Sequence, residues 1–397
     1  MQVVVVGAGP AGARCAEMLA PSCSVTLIGA EPALPYNRVA LSKFLSGEIE
    51  EAELVTHGAQ HLANLGVTYR PGTRVAGIDR AERTLVTDAG DVVGYDRLVL
   101  ALGAHAFRLP LPGANLPGVS MYRTLNEVRT MLATAALGGA AVVIGGGLLG
   151  LEAAYGLARR GMRVTVVHAV DRLMERQLDA AAARLLARRL AGQGIALVLS
   201  GSTAAIEGDD MVTGVRLKDG GVIAAGMVVM AVGIRPETAL ARDAGLMVAR
   251  GIVVDDAMRS SDPAISAIGE CAEHNGMCCG LVAPALAQAA VAARVIVGED
   301  VAYVAEPDAT ALKVAGAGVW SAGEIEGTET IVYHDPDGGE YRKFVLREDR
   351  LVGAMLYGET GDAPWYQSLI AQGSVVSGLR SALAFGVAYA PAMEAAE

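Results

Sequence analysis

The chain is short of most features that would narrow its chemistry at once. It has 5 cysteines in 397 residues, at positions 15, 23, 271, 278 and 279. They are too few and too irregularly spaced for a disulfide framework, and they contain no Cys-x-x-Cys. Aromatic residues make up only 4%, so core volume must come mainly from Ala, Val, Leu and Ile. Basic residues are outnumbered, 32 against 43 acidic, for a net charge of −11. General nucleic-acid binding needs a basic field that releases counterions, so that class is set aside, while a local basic docking patch stays allowed. No stretch reaches the roughly 18–20 uninterrupted apolar residues of a membrane span. The first apolar run, Val3–Val6, has no basic leader and is cut off by glycine, so it does not read as a signal peptide. The expected compartment is the reducing cytoplasm.

What is present is a packed globular composition, 52% hydrophobic and 19% charged with 49 glycines. The length implies two or three domains. The dominant pattern is an internal repetition. The apolar run Gln2–Val6 leads into Gly7-Ala8-Gly9-Pro10-Ala11-Gly12, a helical stretch, and a second apolar run, Val25–Ile28. The run Ala141–Ile144 leads into Gly145-Gly146-Gly147-Leu148-Leu149-Gly150, a helix over Leu151–Arg160, and the run Val164–Val167. Each is a strand–turn–helix–strand unit with a G-x-G-x-x-G turn. One such turn is weak evidence; two in the same context are strong. The first glycine permits the tight turn, the second lets backbone approach a pyrophosphate, and the third lets helix and strand pack. The helix N-terminus then offers free N–H groups to the phosphates.

Between the turns, Val67–Tyr69, Thr84–Thr87, Asp91–Tyr95 and Arg97–Leu100 read as short strands, and Val222–Ala225 and Met227–Val232 echo them. Each set ends in a small-residue turn, Ala101-Leu102-Gly103-Ala104 and Ala231-Val232-Gly233-Ile234, which we read as two crossings between domains. Near the C-terminus Leu312–Ala315, Thr330–His334, Tyr341–Leu346 and Leu351–Tyr357 alternate, and Asp335-Pro336-Asp337-Gly338-Gly339 signals a hairpin. The Ala-rich tail after Gly373 reads as partly helical or frayed. The expected fold is α/β: two Rossmann-like dinucleotide-binding domains plus a smaller C-terminal α+β domain.

An acidic residue about 20 positions after each turn would bind an adenosine ribose 2′-hydroxyl. Glu31 is that candidate in the first unit. The second strand ends instead at His168, with Asp171 and Arg172 beyond. His168 either donates to a ribose hydroxyl or, with Arg172, receives a 2′-phosphate. NADH against NADPH is left open, with a slight lean to NADH.

Two such units, the Ala-Leu-Gly and Ala-Val-Gly crossings, and Gly269-Glu270 after the run Ala264–Ile268 resemble the two-dinucleotide flavoproteins, the pyridine nucleotide–disulfide oxidoreductase fold, over roughly residues 1–305. Further segments resemble the flavin part of NAD(P)H-dependent assimilatory nitrite reductases. These are Pro35–Lys43, Leu45–Glu48, Met174–Asp179, Gly280–Pro284, Leu312–Val314, Trp320–Gly323 and Arg347–Tyr357. The resemblance implies an FAD-binding domain over 1–109 and 237–303, an NAD(P)-binding domain over 110–236, and a C-terminal interface domain over 304–397. For FAD it assigns Gly7, Gly9, Pro10, Ala11, Gly12, Glu31, Arg38, Lys43, Ala101, Gly103, Gly269, Glu270 and Val282. For NAD(P)H it assigns Gly145, Gly147, Leu148, Leu149, Gly150, His168, Arg172 and Gly233. Arg38 either neutralises the pyrophosphate or covers the adenine. Glu270, where Asp is usual, would bind the ribityl chain. The helix start at Leu281–Gln288 would face the flavin C2 carbonyl with backbone N–H groups.

Lys43 and Glu152 are the implied catalytic pair, matching a lysine and glutamate that meet near flavin N5 in related ferredoxin reductases. Lys43 would stabilise the anionic reduced flavin, and Glu152, placed in the first helical turn, would orient it. Disulfide reductases of the wider family carry a redox cysteine pair where this chain has Leu41-Ser42-Lys43, and no thiol lies between Cys23 and Cys271. A dithiol relay is therefore excluded. Cys271, Cys278 and Cys279 fall one short of the four thiolates of an iron–sulfur cluster, so all five cysteines read as structural and no metal site is read. The implied activity is hydride transfer from NAD(P)H to FAD, then passage to a separate iron–sulfur, molybdenum or sirohaem reductase component in nitrate or nitrite assimilation. The alternatives are a ferredoxin or rubredoxin reductase of an oxygenase system, an NADH oxidase, or a redox-sensing flavoprotein. A homodimer is left open.

Overall fold

The computed structural model describes residues 1–305, 309–314 and 316–390. Two five-stranded parallel sheets dominate it. The first runs in the order Ile265–Ala267, Arg97–Leu100, Gln2–Val6, Ser24–Ile28, Thr68–Arg70. The second runs Ala196–Val198, Arg163–Val167, Ala140–Ile144, Met227–Met230, Val119–Met121. Their central strands are continuous apolar runs because helices cover both faces. Val3, Val4 and Val5 are fully buried, as are Val142 and Val143.

The first sheet includes a strand from residues 265–267, so residues far apart in sequence complete one core with the N-terminal unit. Each parallel sheet is accompanied by a three-stranded antiparallel one, Val75–Asp79 with Thr84–Thr87 and Val92–Gly94, and Thr203–Glu207 with Gly214–Leu217 and Val222–Ala224. Strand Val75–Asp79 escapes the sequence reading because Gly77 and the flanking Arg74, Asp79 and Arg80 blur its alternation. The two small-residue turns do run side by side. Ala104–Ala106 pairs antiparallel with Ile234–Pro236.

The C-terminal sheet is antiparallel, in the order Ala309–Val314, Ala317–Gly323, Arg350–Gly358, Glu340–Arg347, Glu329–Asp335, with helix Ala363–Gln372 on it. The sequence pattern does not signal its second strand, because three glycines, Gly316, Gly318 and Gly323, dilute the alternation. The expected strand Leu312–Ala315 starts earlier, at Ala309, and Ala315 lies outside the described residues. The hairpin forms where expected, and Asp335 Oδ1 fixes its turn by accepting from the Asp337 and Gly338 N–H groups at 3.2 and 2.8 Å. Among the described residues after Gly373, Val375 bridges to Arg350 and the chain then makes short helical turns, such as Arg380–Leu383; residues 391–397 lie outside the described ones.

Candidate dinucleotide sites

The two glycine turns are near copies of each other. Gly7 and Gly145 have φ of +112° and +122°, and a Cβ on either would strike a carbonyl, Ala101 O at 2.0 Å or Ala231 O at 2.2 Å. A Cβ on Gly12 or Gly150 would strike the carbonyl of Gly7 or Gly145, at 1.8 and 2.0 Å. Gly9 and Gly147 differ from these. Nothing lies within 4 Å of where their Cβ atoms would be. The outer glycines are thus required by the fold itself, and the middle one faces open space.

The helices that follow point the same way. Pro10–Leu19 and Leu148–Arg159 have Gly9 and Gly147 as N-caps, no side-chain cap and no acidic residue in the first turn. Two other long helices do carry side-chain caps. Thr124 and Glu127 form a capping box on Leu125–Ala135, and Asp179 caps Ala180–Gly192. The free N–H groups and the positive dipole end are left for an anion. A third helix, Val282–Ile296, likewise starts without a side-chain cap. Helix Leu148–Arg159 begins at the glycine turn and not at Leu151, so Glu152 stands past the first turn.

Around the first turn an ionic chain links distant segments. Glu31 accepts from Tyr36 Oη at 2.8 Å and from Arg38 at 2.7 Å. Arg38 also donates to the Arg123 carbonyl at 2.7 Å and lies 5.1 Å from the Tyr36 ring centre. Arg123 pairs with Glu270 and donates through Nε to Ala104 O at 3.1 Å. Glu31, Arg38 and Glu270, all expected site residues, are therefore brought together, and Arg123 is the link the sequence did not reveal. Gly103 has φ +68°, with Glu270 Oε2 3.6 Å from its Cβ position. The buried Gln288 side chain accepts from Gly269 N–H at 2.7 Å and holds that turn against the helix Val282–Ile296.

Helix Leu41–Ser46 carries Lys43 and packs on helix Leu148–Arg159, which carries Glu152. The approach needs Gly156, since a Cβ there would lie 2.6 Å from Leu45 Cγ. Arg160 caps the short helix by donating to Leu45 O at 2.7 Å and Phe44 O at 2.9 Å. Lys43 is exposed, and among the described residues no ion pair joins it to Glu152. Burial pushes the Glu152 carboxyl up to about 7, against the opposing effect of a hydrogen bond from Ser42. Burial, and after it the neighbouring Glu152, raises the Tyr122 phenol well above its ordinary value. Tyr122 Oη is buried and finds no partner in hydrogen-bond geometry. An orphaned buried polar atom beside a near-neutral carboxyl, at the meeting of the two halves, fits a site that a polar ligand completes.

At the second turn His168 is buried. Its Nδ1 accepts from Gly146 N–H at 3.1 Å and its Nε2 lies 3.1 Å from Glu175 Oε2. Both ring nitrogens are used, which makes it a brace of the turn, and a Cβ on Gly146 would lie 2.7 Å from the ring. Glu175 is thereby held near the strand end where the sequence showed no acid. Arg172 NH1 is 3.5 Å from Asp171, and its Nε is buried without a partner. None of the five cysteines forms a disulfide among the described residues. Burial pushes Cys15 up to about 12 and Cys271 up to about 11, so both remain inert thiols.

Residues 1–293 match the pyridine nucleotide-disulphide oxidoreductase family, and residues 309–374 match the rubredoxin NAD+ reductase C-terminal domain. The chain belongs to the pyridine nucleotide-disulphide oxidoreductase family, and it is an oxidoreductase. It is similar to the nitrite reductase (NAD(P)H) of Bacillus subtilis (strain 168), 42% identical over 384 residues, which cover 95% of this chain and 48% of the relative. It is also similar to the assimilatory nitrate reductase electron transfer subunit of the same organism, 39% identical over 369 residues, 91% of this chain and 48% of the relative. The chain thus spans about half the length of these curated relatives. Among solved structures, the ferredoxin reductase for the CYP199A2 system from Rhodopseudomonas palustris matches with a TM-score of 0.86 at 30% identity, over 92% of this chain and 93% of that one. Among the described residues no helix is long and apolar enough to cross a membrane.

Proposed function

We propose that the chain is an FAD-dependent NAD(P)H oxidoreductase that passes electrons from NAD(P)H through FAD to a separate redox protein in nitrate or nitrite assimilation. The observation that carries this reading is the doubled cradle: two turns with closed outer glycines, an open middle glycine and an uncapped helix start. Such a cradle suits a dinucleotide pyrophosphate, and two of them suit two dinucleotides. The FAD unit comprises 1–109 and 237–303, the NAD(P) unit 110–236, and 304–397 forms the interface domain.

In this reading Gly9 and the N–H groups of helix Pro10–Leu19 bind one pyrophosphate, and Gly147 with the helix Leu148–Arg159 binds the other. Glu270, steadied by Arg123, orients the ribityl chain. The start of helix Val282–Ile296 offers N–H groups to negative charge on the flavin pyrimidine. Bound FAD supplies the conversion from a two-electron donor to one-electron acceptors. Lys43 contributes positive charge at the solvent side, and Glu152 holds or releases a proton at its carboxyl near neutral pH. Glu175 favours a ribose 2′-hydroxyl, hence NADH, because a 2′-phosphate would meet its carboxylate. Nothing in the segment between Cys23 and Cys271 offers a thiol to take the electrons, so they leave for another molecule.

The assimilatory assignment is supported by the two Bacillus relatives. A second reading, a ferredoxin or rubredoxin reductase, is favoured by the C-terminal match at 309–374 and by the near full-length likeness to a ferredoxin reductase. The test is anaerobic addition of NADH and NADPH to the purified chain, followed by NADH-driven reduction of a sirohaem nitrite reductase component, a rubredoxin and a [2Fe–2S] ferredoxin in parallel. A yellow protein that bleaches, with faster turnover on NADH and on the sirohaem component, is expected. A colourless protein that takes up no flavin overturns the activity. Preference for rubredoxin or ferredoxin selects the second reading.

A further inference from the structure

Outside the nucleotide sites, one cluster gathers ligand-type side chains from two separate elements. Glu17 lies in the last turn of helix Pro10–Leu19, His57 precedes helix Ala59–Asn64, and His61 lies within it. One ligand atom from each falls within 4.8 Å of the others. His57 Nε2 is 3.8 Å from Glu17 Oε2, and His61 Nε2 is 3.7 Å from Glu17 Oε1. These gaps are too long for hydrogen bonds. They are only slightly wider than the roughly 3.3 Å between ligand atoms around tetrahedral zinc at its usual bond lengths.

The surroundings suit one chemical form of the nearer ligand. Thr56 Oγ1 lies 3.1 Å from the Pro35 carbonyl and 3.0 Å from His57 Nδ1. With its hydrogen donated to the carbonyl, it accepts from His57 Nδ1–H. In that arrangement the Nε2 lone pair faces the Glu17 carboxylate. The 3.8 Å between that lone pair and the carboxylate leaves a gap that a bound cation can bridge. A metal-bound histidine generally donates its second ring N–H to an oxygen acceptor, the place that Thr56 Oγ1 takes here. His57 is largely buried, its side chain 14% exposed, while His61 at 49% lies open to solvent and lets an ion enter. Arg14 donates to Glu17 Oε2 at 2.6 Å, which holds the carboxylate in place and leaves Oε1 for an ion.

From this we infer that Glu17, His57 and His61 form a binding site for a borderline divalent transition-metal ion, Zn²⁺ foremost, with a water completing four-coordination. Two imidazoles and one carboxylate suit zinc over the hard cations Ca²⁺ and Mg²⁺. Glu17 stands about 12 Å along the helix from Gly9 at its helical rise, so the ion does not touch the pyrophosphate cradle. Its effect is to tie the segment 55–64 to the helix that starts at the first glycine turn. Glu17 is far from the two histidines in sequence, and His-x-x-x-His alone points to nothing without it.

The experiment is titration of the full chain, as purified, with Zn²⁺ against a chromophoric chelator, repeated for His61→Ala, Glu17→Gln, Thr56→Val and the double variant His57→Ala/His61→Ala. One Zn²⁺ per chain is expected. His61→Ala and Glu17→Gln should each weaken binding at least tenfold, Thr56→Val several-fold, and the double variant should bind none. Co²⁺ in place of zinc should show the intense visible absorption of a four-coordinate site. Dye reduction driven by NADH should be the same with and without zinc, which separates this site from the nucleotide sites. Zinc binding equally tight in the double variant, or no stoichiometric binding by the parent chain, overturns the inference.

Discussion

At the scale of single residues, the middle glycines and Glu152 carry the sharpest expectations. Gly9→Val puts a side chain into the open cradle and should yield a folded protein that retains little flavin. Gly147→Val should keep its flavin and its colour, yet lose at least tenfold in NADH-driven bleaching; absorbance after gel filtration and stopped-flow reduction separate the two. Glu152 makes a different prediction. Its carboxyl is held at about 7 against an ordinary 4.5, burial being the main cause. A raised carboxyl means that the folded state keeps a proton the unfolded chain has lost. That stability is fully present below about 4.5, falls as pH rises, and is gone above about 7. The range corresponds to at most about 3 kcal/mol. In the flavin-free protein, Glu152→Gln should therefore remove this slope and gain stability over the parent at pH 8, measured by denaturant unfolding at several pH values. The glycines were legible in the sequence because a spacing marks them. Arg123 and Tyr122 were not, because only the tertiary fold pairs Arg123 with Glu270 and sets Tyr122 beside Glu152.

At the scale of elements, the joint between the second parallel sheet unit and the C-terminal sheet depends on Asp179. It caps helix Ala180–Gly192 through the Ala181 and Ala182 N–H groups, at 3.1 and 3.0 Å. It also accepts from Tyr341 Oη at 2.6 Å and lies 3.3 Å from Lys343 Nζ. Burial alone would raise its carboxyl, but Tyr341, the Ala182 N–H and Lys343 outweigh it and hold it below its ordinary value. A lowered carboxyl contributes stability that is present above its ordinary value of 3.8 and fades as pH falls through its folded value. Asp179→Ala removes a cap and leaves the largely buried Lys343 without its anion, so it should cost about 2–4 kcal/mol at neutral pH. Asp179→Asn keeps an acceptor and should cost less; thermal unfolding of both variants checks the order. The alternating pattern forecast most strands of the C-terminal sheet, and the glycines at 316, 318 and 323 hid the remaining one, whose backbone is supported by its neighbours' hydrogen bonds.

At the scale of the whole molecule, the first parallel sheet is completed by a strand some 165 residues downstream of its neighbour, Ile265↔Leu98 in register (267 against 100 at the far end). In the proposed function FAD bridges these same segments, from Gly9 to Glu270 and the helix after it. Removing the flavin should therefore lower the melting temperature of the whole unit, and refilling should restore it. Ligand at about 100 times its dissociation constant stabilises by about 2.7 kcal/mol. A melting temperature unchanged by flavin removal would count against a site that spans the two segments.

The repeated strand–turn–helix units, and with them the α/β class, were determined by sequence alone, because glycine spacing and buried apolar runs are local properties that survive in any context. The three-dimensional arrangement alone decided which charges meet. Glu31, Arg38, Arg123 and Glu270 form one chain, His168 braces a turn with Glu175 beside it, and Lys43 and Glu152 share a helix pair without an ion pair between them. Such encounters depend on how helices and loops distant along the chain are brought side by side, and no periodicity within a segment encodes that distance.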